Sequence, residues 1–308
     1  MNKLITNGYG SSFTSLTIQN NTITKESTNT YGNFKTINET GFYKYILQQQ
    51  YNWKIPIIYH LDTNKIIMKY YHTYIPIYKL FYTISKTIQS NMLLYIIKEL
   101  DILHKFEYIT LSKEDFINNI KIETQEKILL RYKDIELILN TYDNITHVNS
   151  IPLLSFQIIL KYIDEYINTY INNLDEYKFS IIHGDCQFSN ILYNEENDDI
   201  IFIDPRGYFG DKKIYGLKEY DIAKVYFALS GYDYFDKLEV NNLIIRNNNN
   251  LIIDDFSINL DFLKKIDIIS VLVISIWLGN AHAFKHNPIK TAMSHFYARY
   301  LGTLLFRQ

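Results

Sequence analysis

One cysteine, five prolines and eleven glycines are spread over 308 residues, and each scarcity removes a class of protein. A lone Cys186 permits no internal disulfide framework and no cysteine-based zinc site. Gly and Pro together fall well below the roughly 12% of average usage, which excludes collagen-like and Pro-rich disordered architectures and predicts a chain of mostly ordered elements. Arginine is scarce as well. Lys and Arg total 31 against 33 Asp and Glu, a formal charge of −2. That balance supplies no bulk basic field, so nucleic acid is not an expected partner. A long apolar run is also missing. The most lipid-like stretch, residues 266–278, carries Asp267, Ser270 and Ser275 and falls short of the roughly 20 residues that span a bilayer; it reads as a buried helix. Polar residues follow Met1 where a signal peptide would place its apolar core. With the single cysteine, this predicts a reducing, cytoplasmic compartment.

What is present is 47% hydrophobic and 16% aromatic, enough for a sizeable core in one two-lobed domain or two small ones. Tyr, Ile, Asn and Lys recur from end to end, so an aromatic cluster argues little by itself. The first third reads as sheet with one helix. Residues 2–6 are a strand; 13–19 and 22–25 are β-rich runs joined by an Asn20-Asn21 turn. Asn38 is the expected cap of a helix from Glu39 to about Gln50, and 57–59 with 65–70 form a second hairpin. From about residue 76 the spacing predicts helices at 84–106, 113–140 (broken), 153–173, 220–229, 262–279 and 288–306. One β-rich island interrupts them: 181–182, 191–193, a polar turn at 194–199, and 200–203.

That island carries the chemistry. If 191–193 and 200–203 pair, Asn190 at the start of one strand lies opposite Asp204 at the end of the other, and Asp185 stands five residues earlier in a loop opened by Gly184. Three oxygen-bearing side chains then meet at one end of a hairpin. Such a set either decorates a hairpin mouth or offers the one or two oxygens that Mg²⁺ takes beside phosphate and water.

The segment His183-Gly184-Asp185-Cys186-Gln187-Phe188-Ser189-Asn190 resembles the H-G-D-x-x-x-x-N motif of the aminoglycoside phosphotransferase and choline kinase superfamily, and Ile203-Asp204 stands where that family keeps its metal-binding Asp. Leu103-His104 and Tyr220-Asp221-Ile222-Ala223 are similar to the family's Leu-His pair and D-L-A element. The resemblance implies an α+β, bilobal protein-kinase-like fold: a small β-sheet N-terminal lobe at 1–74 and a helical C-terminal lobe at 75–308, with ATP and Mg²⁺ bound between them. It implies transfer of the ATP γ-phosphate to a hydroxyl of a small molecule, with Asp185 as proton acceptor and Asn190 and Asp204 as metal ligands. His183 is expected to support the loop, and Cys186 to be a bystander.

A kinase-like N-terminal lobe needs a phosphate-covering loop, a strand lysine and a helix glutamate. Gly10, Ser11 and Ser12 are candidates for the loop, Lys25 for the lysine and Glu39 for its partner. Lys25 shares a face with Ile23, but Lys35 is a rival. Tyr70 and His72 lie where such folds connect lobes and would meet the adenine. The run Ile203-Asp204-Pro205-Arg206-Gly207 departs from choline kinases and looks more like kinase-like proteins of surface-glycan and nucleotide-sugar pathways. Arg206 either clamps a phosphate or acceptor oxygen or pairs with a nearby acid. From residue 222 onward seven acids face nine Lys and Arg, the wrong balance for a polycationic aminoglycoside. Tyr226, Phe227, Tyr232, Tyr234, Phe235 and Trp277 either cage a quaternary ammonium or pack in the core. A sugar or sugar derivative is therefore the expected acceptor, with a choline or ethanolamine kinase and a nucleotide-binding pseudokinase as alternatives.

Overall fold

The computed structural model describes residues 3–5, 13–237, 244–253 and 260–307. Strand β1 (Lys3–Ile5) precedes a hairpin of β2 (Thr14–Gln19) and β3 (Thr22–Ser27). Asn20 and Asn21 take φ of 49° and 60° at its turn, the left-handed pair that Asn tolerates and that matches the twist of the strands. β4 (Ile58–Leu61) and β5 (Lys65–Lys69) form the second hairpin, and the five strands make one antiparallel sheet in the order β1-β2-β3-β5-β4. Lys25 stands in β3 opposite Leu16 of β2 and Ile66 of β5.

The helix α1 (Thr30–Gln48) starts nine residues before the expected position. Its cap is Asn29, whose side chain accepts the Gly32 N–H at 2.9 Å, while Asn38 lies mid-helix and donates its amide to the Phe34 carbonyl. The first turns, Thr-Tyr-Gly-Asn, have weak helix propensity, so only the cap and packing against the sheet specify them. Phe42, Tyr43 and Ile46 are fully buried on that inner face, and truncating Phe42 to Ala costs about 3–5 kcal/mol.

After β5 the chain turns at 70–74 and forms the short strand β6 (Ile75–Pro76). This strand pairs with Ile191–Asn194, which pairs in turn with Asp199–Phe202. Pro76 lacks a donor, and β6 is accordingly the edge of this three-stranded sheet. Asn194 closes the hairpin by accepting the N–H groups of Glu196 and Asn197. A further sheet places Lys178–Ile181 between Tyr108–Thr110 and Tyr215–Gly216; strands of two or three residues carry too little periodicity to be read from sequence.

Compactness divides the chain into Met1–Thr110 with Lys178–Ile222, and Leu111–Tyr177 with Ala223–Gln308. These units do not follow a single cut after residue 74, because the strands at 178–216 associate with the N-terminal elements. In the second unit the helix Lys113–Lys121 passes through a π turn, Ile122–Glu126, into Lys127–Asn140, so the expected break is one wide turn. Trp277, in the helix Ile268–Asn280, is fully buried. Its ring centroid lies 4.8 Å from Phe227, 6.0 Å from Phe235 and 4.9 Å from Tyr297, and its indole N–H reaches the Ser230 hydroxyl at 2.8 Å. These aromatics are core. Among the described residues no helix is long and apolar enough to cross a membrane.

Gly207 has φ of +70°, and a Cβ there would sit 2.2 Å from the Asn38 carbonyl oxygen. The backbone after Asp204 thus lies directly on α1. Gly207→Ala should therefore destabilise the protein by about 1–3 kcal/mol from the left-handed backbone alone, with more from the displaced helix. An unchanged denaturant midpoint would contradict this packing.

Candidate active site

The loop from His183 to Asn190 leaves the strand Lys178–Ile181, and one carboxylate fixes its start. Asp221, fully buried, accepts the backbone N–H of His183 at 2.9 Å and of Gly184 at 2.6 Å. His104 approaches the same carboxylate through Nε2 at 3.0 Å. Burial by itself would raise the Asp221 carboxyl; the hydrogen bond and charge of His104, the field of His183 and the Gly184 N–H overcome it and hold the group below its usual range. The Leu-His and Y-D-I-A matches thus converge on one clamp, a role that the sequence reading did not give them.

Gly184 has φ of +81°, and a Cβ there would meet Arg206 Cβ at 2.9 Å, so the loop needs glycine at this point. The His183 ring is fully buried. It accepts the Asp185 N–H at Nδ1, 3.3 Å, which leaves Nε2 to donate to the Ile203 carbonyl at 3.0 Å. The imidazole thus ties the loop to the strand end that carries Asp204. Its packing on Phe42, Trp53 and Phe202 completes that supporting role.

Asn190 donates Nδ2 to the Asp185 carbonyl and to Asp185 Oδ2, at 3.0 and 3.1 Å, which turns its own carbonyl oxygen the other way. Its backbone carbonyl accepts the Ile203 N–H at 2.9 Å. Asp204 follows with φ of +61°, a conformation that Asp tolerates better than most side chains. It is thus one residue past the position opposite Asn190. Lys25 lies 2.6 Å from Glu39 Oε2 and also bonds Asp204 Oδ1. The lysine and glutamate side chains are 12% and 4% exposed and that of Asp204 46%, so two inner charges meet one open to solvent. Together the three carry a net charge of −1. Glu39 Oε1 and the Tyr43 hydroxyl, one turn further along α1, are buried with no partner among the described residues.

Lys35 lies elsewhere, over the rings of Phe13 and Tyr31 at 5.4 and 5.3 Å. Arg206 donates its backbone N–H to the His183 carbonyl at 2.8 Å. Its guanidinium stacks 4.0 Å above Tyr208 and reaches the Tyr220 hydroxyl at 3.2 Å. The sequence reading named Tyr220 only within the D-L-A match and gave neither tyrosine this contact. Tyr70 donates its backbone N–H to Asn21, and His72 is exposed in the turn before β6. That turn is anchored by Asn194 on Thr73 and by Asp199 on Tyr74. Gly10, Ser11 and Ser12 lie outside the described residues.

Among the described residues no three His, Cys, Asp or Glu side chains gather closely enough to hold a metal by themselves. The Asp204 carboxylate and the Asn190 carbonyl are hard oxygen donors of the kind Mg²⁺ takes when phosphates and water complete its shell.

No family model and no curated protein sequence matches the chain. Solved structures do. The gentamicin complex of APH(2")-IIa aligns with a TM-score of 0.54 at 13% identity, covering 99% of this chain and 93% of that one. The ADP-bound aminoglycoside phosphotransferase APH(2'')-Ib gives 0.53 at 12%, covering 99% and 94%. Choline kinase LicA from Streptococcus pneumoniae gives 0.54 at 11%, covering 97% and 92%. The chain therefore has the α+β kinase-like fold of aminoglycoside phosphotransferases and choline kinases, the superfamily whose motif the sequence resembles. At these identities the likeness shows the fold.

The clamp has a measurable weight. Asp221→Ala leaves two buried N–H groups and His104 without their acceptor, which should cost about 3–5 kcal/mol. Because the folded carboxyl is held below its usual value, its contribution is complete above about pH 4 and fades as the pH falls through the lowered value. Urea midpoints from pH 3 to 7 should therefore converge for wild type and Asp221→Asn only at the acid end.

Proposed function

We propose that the protein transfers the γ-phosphoryl group of ATP to a hydroxyl of a small metabolite, a sugar or sugar derivative. The observation that carries this reading is Lys25 held between Glu39 and Asp204. A partly buried lysine paired with a helix carboxylate is the arrangement that meets nucleotide phosphates in kinase-like sites, and the half-exposed Asp204 faces outward beside it. Asp185 takes the proton of the acceptor hydroxyl; the freed oxygen attacks the γ-phosphorus, and the bond from that phosphorus to the bridging oxygen breaks to leave ADP. Asn190 keeps the Asp185 carboxylate oriented. The Lys25 ammonium binds the phosphates, and Glu39 sets its position. Arg206, stiffened on Tyr208, offers a planar donor pair to an acceptor or phosphate oxygen. Tyr70 and His72 lie in the segment we assign to the nucleotide base. Asp204 and the Asn190 carbonyl would hold Mg²⁺, which supplies charge neutralisation to the phosphates when bound.

A sugar is favoured over a cation by two facts. The seven acids and nine basic residues after residue 222 give no acidic surplus, and the best cage candidate, Trp277, is sealed in the core. An ATP-consumption screen over hexoses, amino sugars, glycerol derivatives, choline, ethanolamine and kanamycin tests the reading. Turnover with a neutral or anionic sugar is expected. Turnover with choline or kanamycin alone overturns the sugar assignment, and nucleotide binding without turnover on any acceptor supports the pseudokinase alternative.

A further inference from the structure

A cavity opens on the side of α1 turned away from Lys25. Its volume is about 450 Å³, within the range of small-molecule sites. At 100° per residue, four of the helix positions that line it, Ile37, Gly41, Lys44 and Tyr45, lie on the face opposite Glu39, and Asn38 and Thr40 line its flanks on either side of Glu39. The other wall is Gly207 and the run from Lys213 to Tyr215.

The floor is rigid. Tyr45 and Tyr215 bond each other at 2.9 Å and both bond Glu107, the second through Oε1 at 2.9 Å. Tyr51 adds a third hydroxyl to the same carboxylate at 3.1 Å. The two phenol rings are thus fixed with their polar ends engaged on Glu107. Ile214 adds apolar surface, and the charged residues in the lining are Lys44 and Lys213, with no acid among them. Asp62, next to the lining residue Thr63, feels the charge of Lys44 and is held by the Thr63 N–H at 2.6 Å. An apolar body with a negative end fits this distribution.

The position matters as much as the lining. Gly207 and the Asn38 carbonyl are in backbone contact at the cavity's edge. Asn38 immediately precedes Glu39, and Gly207 follows Asp204 by three residues. An occupant therefore presses on the two backbone segments that carry the partners of Lys25. The cavity's walls include these two segments as they stand with the cluster assembled, so the coupling requires an occupant that binds this arrangement more tightly than one in which the segments part.

We propose that this cavity binds a small amphiphilic anion, an aromatic or aliphatic body with one carboxylate, sulfonate or phosphate, and that its occupation tightens nucleotide binding at Lys25. The coupling rests on the nucleotide-binding reading above; the site does not.

The probe is anilinonaphthalene sulfonate, followed by its fluorescence on the folded chain. One saturable site is expected. Gly41 has open space where a Cβ would go, so Gly41→Trp starts without a backbone clash, puts its ring into the cavity and should abolish that site. Lys44→Glu with Lys213→Glu should weaken it by about tenfold or more, the effect of losing roughly 1.4 kcal/mol. Leu137→Ala, which removes the most exposed leucine among the described residues at 83%, should leave it unchanged. Reciprocity requires ATP to tighten the probe by the factor by which the probe tightens ATP. Binding that survives Gly41→Trp, or that is lost with Leu137→Ala, overturns the site. Binding that Gly41→Trp removes but ATP leaves unaltered, while ATP alone still raises the melting temperature, overturns the coupling. If ATP produces no thermal shift at all, the nucleotide reading fails and the coupling with it, and the Gly41→Trp isotherm still decides the site.

Discussion

Asp185→Asn should lower phosphotransfer by about 10²–10⁴-fold, the usual span of general-base effects, and leave the affinity for ATP and the melting temperature close to those of the parent. The reason is geometric. The Asp185 backbone, through which His183 and Asn190 hold the loop, is untouched. The carbonyl oxygen of an asparagine can still accept the Asn190 amide, so the loop keeps its form and loses only the site that takes the proton. Single-turnover rates with ATP and the acceptor found in the screen check this. A rate within about tenfold of the parent would show that the proton leaves by another route.

Asp204→Asn should remove the Mg²⁺-dependent part of the stabilisation by ATP. Asparagine is the informative replacement because residue 204 has φ of +61°, which Asn adopts readily and Ala does not. Lys25 keeps Glu39, and the cluster goes from a net −1 to neutral, so the hard dication loses its anionic donor while the fold is spared. At ligand one hundred times its dissociation constant the parent gains about 2.7 kcal/mol. The variant should gain the same with and without Mg²⁺. A parent-like magnesium effect would place the metal elsewhere.

The hairpins at 14–27 and 191–202 were legible because turn chemistry and short β-rich runs agree there. The Asn20-Asn21 pair and the Asn194 cap are local signals, and local signals survive in sequence. The start of α1 was not legible: Thr30 to Asn33 favour no element by themselves, and their helix is specified by the Asn29 cap and by the sheet beneath. Lys25 and Lys35 could not be separated by spacing, since the choice depends on where α1 begins: with its start at Thr30, Lys35 falls in the helix and Lys25 alone stands on a strand. The structure brings Lys25 to Glu39 and Asp204, and gives Lys35 two aromatic rings. Asp221 was visible as a motif match without a task. Its task depends on two N–H groups 37 and 38 positions away in sequence, a separation that no local pattern encodes.

The short strand β6 has a consequence for how the site comes apart. Its pairing with Ile191–Asn194, extended by the Ile77 N–H on the Ile191 carbonyl, stitches the segment after Tyr70 into the same ladder as the hairpin ending at Asn190 and Asp204. Local opening cannot peel one from the other without breaking those bonds. Native-state amide exchange should therefore find Ile77, Leu192 and Ile201 exchanging through one shared fluctuation, slowed together when either end of the ladder is held.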